Sequence, residues 1–515
     1  MNLCDATFID SHIFAYSIDS KESFRLLFHI AILRQDDGIR DRRTFSLSEI
    51  VSAPATRQTG KPPKTKQVKQ AIYQAVWRWH FYAGIIFAPF LIILAVSGAA
   101  YLFKPQIEGY MYKDLLTVSE AGQQALSPGA VIAKTEKGYP DALVSSITLT
   151  NDKLKTYALS VNYSGTPTTM YVDPYAGNLT GSLDSNKTFS AFFKKMHSQL
   201  LIDGTWTNRL VELAACWALI LILTGLILWW PRNKANIWGT ILPRLSKPGS
   251  RMFWRDLHAV PAFWIPIVLV ALIATGLPWS GVLGPKISKL ADSTNTNVPP
   301  YAYSFGAKPE SVTVAKDIAE GLPWAAENLP VPASSASGGY ITLGVDDIAK
   351  IADKQNVRKP YTITLPNGET GVYTVSTAHN KPGHDATLHI DQYSGAVLTD
   401  VRFADYGIMG KLISWGIAFH EGHLFGWPNQ LLGLIAALGL VLVSISSYFT
   451  WRKRKPDGLG APSRPKNRKV TVTVLALLFV CGAIMPLLGQ SLIVVVLLDW
   501  LVIRRIKPLK QWFAA

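Results

Sequence analysis

Four histidines stand where apolar runs of the chain meet polar ones, and their spacing sorts them into two pairs. His80 opens the apolar run Phe81–Phe103, and His258 opens Ala259–Leu283. Each is followed, 18 residues later, by a glycine, Gly98 and Gly276. A helix rises about 1.5 Å per residue, so that interval is about 27 Å and places histidine and glycine near opposite faces of a bilayer. His197 and His420 precede two further apolar runs, Leu213–Trp230 and Leu424–Trp451, and belong to the other face. Two histidines at each face are what two stacked bis-imidazole b-type haems require. Each iron takes two axial ligands, imidazole suits iron, and an apolar bundle shields the porphyrin and fixes ligand orientation. The expected haem-iron ligands are therefore His80 with His258, and His197 with His420; His423, one turn beyond His420, is the alternative ligand. A lone histidine at a membrane interface is usually just hydrogen-bonded to headgroups or carbonyls. Repetition at four related positions argues against that here.

Other reactive side chains form weaker patterns. His379, His384 and His389 fall close together in one polar segment, where a polar hairpin competes with a metal or substrate site. Asp499 is an acid inside an apolar run and is read as either functional or helix-pairing, given the nearby Arg504. The three cysteines, Cys4, Cys216 and Cys481, make no disulfide framework, and no CxxCH is present for covalent haem attachment. There is no Walker A sequence and no GxGxxG in a strand–turn–helix setting, so the chain is expected to lack its own nucleotide site; a redox role would need a partner reductase, a soluble donor or quinol.

The elements that must position these histidines are membrane spans. Half of the 515 residues are apolar, only 17% are charged and 16 are Trp, a balance suited to a membrane protein with polar segments. About 20 apolar residues cross a bilayer as a helix. Phe81–Phe103, Leu213–Trp230, Ala259–Leu283 and Leu424–Trp451 meet that length, while Val470–Leu488 and the shorter Ser491–Ile503 read as a hairpin turning at Gly489-Gln490. Span three carries Pro261, Pro266 and Pro278 and is the one expected to kink. Lys and Arg crowd before span one, between spans two and three (Arg232 to Arg251), after span four (Arg452 to Lys455, Arg464 to Lys469) and at the C-terminus. By the positive-inside rule both termini are cytoplasmic and the long segments 104–206 and 284–412 are periplasmic. The net charge of +16 thus marks cytoplasmic faces and calls for no nucleic acid.

The chain also repeats itself. Trp77-Arg-Trp-His80 answers Trp254-Arg-Asp-Leu-His258, and Tyr171-Val-Asp-Pro-Tyr-Ala-Gly-Asn-Leu-Thr180 answers His389-Ile-Asp-Gln-Tyr-Ser-Gly-Ala-Val-Leu398. Asn208-Arg-Leu before span two answers Asn429-Gln-Leu before span four. An internal duplication of a helix–domain–helix unit accounts for all three matches. Strands are expected over 143–149, 155–161, 168–172, 361–365, 371–376 and 386–390, with helices over 127–137 and 345–354, making two small α+β domains.

The sequence resembles the PepSY-associated transmembrane family, which includes iron-regulated membrane proteins and ferric-siderophore reductases. The resemblance covers about 70–510 and rests on Trp77-Arg-Trp-His-Phe-Tyr-Ala-Gly84, Asp173-Pro-Tyr-Ala-Gly177, Met196-His197, Trp254-Arg-Asp-Leu-His258 and Phe419-His-Glu-Gly-His-Leu-Phe-Gly426. It implies a polytopic α-helical inner-membrane protein with two PepSY-like α+β periplasmic domains. It also implies two haem b held by His80, His258, His197 and His420, and outward electron transfer to a ferric siderophore. The expected organisation is a cytoplasmic tail at 1–66 (disordered, or the product of a mis-called start), TM1 at 77–103, periplasmic domain 1 at 104–206 and TM2 at 207–231. A cytoplasmic loop at 232–252, TM3 at 253–283, periplasmic domain 2 at 284–412 and TM4 at 413–451 follow. A basic loop at 452–469, a TM5–TM6 hairpin at 470–503 and a cytoplasmic tail at 504–515 complete the chain. The tail and hairpin depart from simpler four-span members and leave the donor's docking site open. Two alternatives stand beside the ferric-siderophore reductase: a non-enzymatic, membrane-anchored PepSY binding or regulatory protein, and a transporter with pseudo-symmetric halves.

Overall fold

The computed structural model describes residues 64–231, 237–298, 313–334, 341–377, 381–454, 458–465 and 467–513. The tail expected over 1–66 lies outside them apart from its last residues, and His379 lies outside them too.

Among the described residues four helices are long and apolar enough to cross a membrane (Gln67–Leu102, Thr205–Trp229, Trp427–Arg452 and Pro486–Ile503), or five if one bent pair counts as a single span; the helix in the expected fifth span, Arg468–Ile484, is not one of them. Helix α1 (Lys64–Leu102) is longer than its apolar run because the polar stretch before Trp77 is already helical. It packs along helix α4 (Thr205–Trp229). The third expected span is the bent one: α5 (Arg251–Ala259) and the short turn Pro261–Trp264 meet α6 (Pro266–Gly276) at 60°. Pro266 has no N–H to give the preceding turn, which breaks the helix where the sequence placed the kink. The fourth expected span is two helices, α9 (Ile408–His420) and α10 (Trp427–Arg452). Gly422 and Gly426 have φ of +78° and +68° in the connecting turn, a backbone that glycine adopts without strain. That break puts His420 at a helix end. Helices α11 (Arg468–Ile484) and α12 (Pro486–Leu498) form the hairpin, but it turns at Met485-Pro486 rather than at Gly489-Gln490. Gly489 instead faces Gly482, and the absence of side chains at both lets the two helices close on each other. Asp499 is taken up by ion pairs with Arg464 (2.5 Å) and Arg504 (2.7 Å), which tie the end of α12 to the segment 458–465 and to its own last turn.

The two long inter-span segments each supply a four-stranded meander and a helix. The strands are β1 (Ala142–Leu149), β2 (Tyr157–Tyr163), β3 (Thr166–Val172) and β4 (Leu179–Asp184), then β5 (Tyr361–Thr364), β6 (Val372–Thr377), β7 (Ala386–Asp391) and β8 (Val397–Arg402). Two separate domains were expected. Instead β1 pairs antiparallel with β5 (Ile147 opposite Ile363), giving one eight-stranded sheet in the order β4-β3-β2-β1-β5-β6-β7-β8. One face carries Ile147, Leu159, Ile363, Val375 and Leu388, all buried against α2 (Pro128–Gly138) and α8 (Val345–Lys354). Asp346 at the start of α8 accepts from Ser127 Oγ (2.8 Å) and Gly129 N (2.6 Å), tying the two helices together. The matched turns noted in the sequence are alike in structure: Asp173 and Asp391 each accept two backbone N–H groups, before Gly177 and Gly395 at φ of +66° and +71°.

On the other face the polar residues of β6–β8 lie beneath the segment 313–334. His389 there is fully buried; its Nδ1 sits 3.1 Å from Thr374 Oγ1 and its Nε2 has no hydrogen-bond partner. Burial lowers its pKa from 6.5 to about 4. A folded value below the unfolded one means the stabilisation is complete above pH 6.5 and is lost as pH falls toward 4. We expect the sheet to lose about 3 kcal/mol over that interval, read as lower amide protection factors in β6–β8 at pH 4.5 than at pH 7, each referred to the intrinsic exchange rate at its own pH. His389→Leu should flatten that acid dependence, and an unchanged slope would refute it. His384, by contrast, contacts Arg358; the possible site of three histidines includes His379, which lies outside the described residues.

Candidate functional site

Each of the four histidines is seated in the same way on a neighbouring helix. His197, on α3 (Phe189–Gln199), places Nδ1 3.0 Å from the Leu94 carbonyl and 3.0 Å from Ser97 Oγ of α1. His420 places Nδ1 2.8 Å from the Leu272 carbonyl and 3.3 Å from Thr275 Oγ1 of α6. His80 reaches Thr224 Oγ1 of α4 at 2.8 Å and the backbone of Leu221. His258 reaches the Val443 carbonyl of α10 at 2.9 Å, beside Ser446, whose hydroxyl donates to the same carbonyl at 3.1 Å. The seat is thus a carbonyl at position i and a hydroxyl at i+3. At i+4 three of the four seats have glycine, and a Cβ there would lie only 3.2 Å (Gly98), 3.3 Å (Gly225) or 3.1 Å (Gly276) from the imidazole Cε1. Helical i+3 and i+4 positions share a face, so one turn supplies both the acceptor and the room.

This arrangement fixes the tautomer. A carbonyl only accepts, so Nδ1 carries the proton and Nε2 keeps the lone pair, the usual outer-shell arrangement of a metal-ligating histidine. The rings then meet across the bundle. His80 and His258 have centroids 6.3 Å apart, and His197 and His420 6.1 Å apart. Two imidazoles bound at opposite sides of one metal, with metal–nitrogen bonds of about 2.0 Å and nitrogen about 1.1 Å from the ring centre, have centroids about 6.2 Å apart. The spacing of both pairs therefore fits two imidazoles on one iron, and a porphyrin would supply the remaining nitrogen donors. Among the described residues no cluster of three or more His, Cys, Asp or Glu is arranged for a bare metal ion, which is a different donor set.

His423 is drawn elsewhere. Its Nε2 lies 3.5 Å from Glu421, which also faces Lys104 at 3.9 Å. It is His420 that meets His197.

All four histidines line one cavity of about 3450 Å³. Ligand pockets usually enclose about 300–1,000 Å³, so this space admits several large groups. Its upper wall is the polar face of the sheet, with Ser146, Thr148, Ser160, Thr362 and Thr364, and Lys194, Lys316 and Glu327 stand at its sides. The alternation of β1 places its apolar residues on the helix layer and its hydroxyls over the cavity.

Sequence reasoning found the histidines but not their seats. The signal was present as Ser97-Gly98, Thr224-Gly225, Thr275-Gly276 and Ser446-Ser447, one small polar pair in each of four apolar helices. It also missed Glu212, a buried acid on α4 that accepts from Val282 N (2.7 Å) and Leu283 N (3.2 Å). Those two residues lie at the start of α7 (Leu283–Ser293).

No curated protein matches this chain. The family model of the PepSY-associated TM region matches residues 77–454, which takes in all four histidines, their four seats and the whole sheet. The chain is a multi-pass membrane protein and belongs to the PepSY-associated transmembrane family.

Proposed function

We propose that this protein is a haem-b oxidoreductase of the bacterial inner membrane that passes electrons from the cytoplasmic side or the quinol pool to a periplasmic ferric siderophore, releasing Fe(II). The observation that carries this reading is the pair of facing imidazole couples, each ring with Nδ1 committed to a neighbouring helix and Nε2 left to bind. Two haem b groups, when bound, would supply one-electron carriers at the two membrane faces. The chain's own part is to set the rings. The carbonyl of each seat, joined at three of the four by the hydroxyl, holds the imidazole in one tautomer and one orientation, and the apolar helices would keep water from the metal.

The orientation follows from charge. Arg244, Arg251, Arg255 and Arg454 stand at the His80–His258 end, and cytoplasmic faces are rich in Lys and Arg. The sheet then lies in the periplasm, with both termini inside. The shared seats, the shared turns and the join at β1–β5 support an ancestral duplication of a helix–domain–helix unit, whose two sheets fused edge to edge. The acceptor site is the chamber between the sheet's hydroxyl face and the His197–His420 pair, where hydroxyls, lysines and acids suit a large polar chelate. A hard-oxygen chelator holds Fe(III) more strongly than Fe(II), so reduction loosens its grip.

The test is a reduced-minus-oxidised spectrum of the purified protein with a pyridine haemochrome count. We expect a b-type spectrum, about two haems per chain, and loss of about half in each of His80→Ala and His197→Ala. Protein that stays colourless after haem-supplemented expression would rule out the reductase and leave a membrane-anchored PepSY binding or regulatory protein.

A further inference from the structure

Arginines outnumber acids around the His80–His258 end of the cavity. Arg244, Arg251, Arg255 and Arg454 all line it, and among the described residues one acid, Asp256, serves them. Asp256 is fully buried and bridges Arg244 (2.7 Å) and Arg255 (2.7 Å). Arg251 and Arg454 have no acidic partner among the described residues. The Arg454 guanidinium lies 5.5 Å from the Trp77 ring centre and 5.6 Å from that of Phe81, and its Nε is buried with no acceptor. Burial, and then the Arg251 charge, lower its pKa. Stacking on two rings offsets part of the loss of water, but a half-buried guanidinium beside another cation still lacks a counter-ion. Trp77 and Phe81 are one turn apart on α1, and His80 lies between them in sequence. The two unpaired cations therefore border the turn that carries one imidazole, and Arg251 starts the helix that carries the other.

We propose that Arg251 and Arg454 form an oxyanion site that clasps the paired carboxylates on one edge of the porphyrin held between His80 and His258. The proposal rests on the haem reading above and adds to it the residues that fix the ring's rotation about the axis through the two imidazoles. An axial pair alone leaves that rotation free, and guanidinium groups match carboxylates in charge and geometry. A phospholipid phosphate offers the same oxyanion chemistry, so the test separates the two sources.

The full-length protein with His197→Ala, which keeps only the His80–His258 pair, is placed in nanodiscs of phosphatidylcholine, alone or mixed with phosphatidylglycerol. Transfer of haem to apomyoglobin is then timed. R251Q with R454Q should release haem about tenfold faster or more, as the loss of charge-assisted bonds predicts. Lys should restore retention in part at either position, and R452Q with K453Q, which removes as much charge from exposed neighbours, should change nothing. Haem dimethyl ester, whose carboxylates are masked, should leave the unsubstituted arginine protein as fast as haem leaves the double variant, and the substitutions should no longer matter. That arm needs no arginine variant and stands even if the double variant fails to fold. Equal retention of haem and its diester by the arginine protein overturns the clasp while leaving the haem reading intact. An arginine effect that persists with the diester and follows phosphatidylglycerol content assigns the site to lipid and overturns it too. A wild-type protein that binds no haem at all defeats the haem reading itself, and the clasp with it.

Discussion

If the proposed haems bind, Gly98→Val is expected to empty the His197–His420 pair while leaving the His80–His258 pair loaded. A Cβ at Gly98 would sit 3.2 Å from His197 Cε1, already tighter than ordinary contact, and valine adds two methyl groups beyond it. The ring cannot simply retreat, because its Nδ1 is held 3.0 Å from both the Leu94 carbonyl and Ser97 Oγ on the same helix as the glycine. Overpacking of this kind usually costs about 1–3 kcal/mol, and here displacement also breaks the bonds that fix the tautomer. The haemochrome count should fall to about half, as one of two bis-imidazole sites is lost. Gly225→Val should empty the other site by the same argument, since its Cβ would lie 3.3 Å from His80 Cε1. Gly109→Val is the control: nothing lies within 4 Å of a Cβ there, and both haems should stay. Two haems retained in Gly98→Val would show that the seat is not what holds the ring.

The histidine pairs were legible in the sequence because they sit at span ends, where hydropathy is informative, and because the 18-residue interval recurs. That interval meant more than its length. Gly98 and Gly276 end it because each is part of the seat for a histidine of the opposite pair, His197 and His420. The remaining seats went unread because Thr224-Gly225 and Ser446-Ser447 look like ordinary small residues in apolar helices. Small residues let helices approach each other, and nothing in the local sequence says that an imidazole fills the gap. His423 was likewise inseparable from His420 by spacing. What separates them is the turn at Glu421–Gly426, which ends α9 at His420 and turns His423 toward Glu421.

The sheet was half legible. Six of the strands were expected from short β-like runs, but β4 and β8 were missed: Leu179–Asp184 has no fully buried position and Val397–Arg402 has only two. The join of β1 to β5 depends on pairing between residues far apart in the chain, such as Ile147 and Ile363, which no local pattern encodes. The polar faces of β1 and β5, Ser146-x-Thr148 and Thr362-x-Thr364, carry no local sign of what they face. They face the cavity, which is how a sheet edge-joined over a bundle becomes the roof of a chamber.

Glu212→Ala should destabilise the protein by about 2–4 kcal/mol, the cost of leaving buried donors without a charged acceptor at a helix start. Glu212 is 1% exposed and takes the N–H groups of Val282 and Leu283 at the N-terminus of α7. Beyond α7, the carbonyls of Thr296 and Asn297 accept the N–H groups of Gly407, Met409 and Gly410, which open α9. Helix α9 ends at His420. The carboxylate on α4 is therefore connected, through two helices, to one of the four imidazoles. Loss of the cap should lower the thermal midpoint, and weaken haem retention at the His197–His420 pair more than at the His80–His258 pair. Glu212→Gln keeps one carbonyl acceptor and should fall between Ala and wild type on both measures. A lowered midpoint with equal weakening at both pairs would make Glu212 a general stability residue. An unchanged midpoint in Glu212→Ala would mean that the N–H groups of Val282 and Leu283 find water, and that α7 does not need the carboxylate to hold α9 in place.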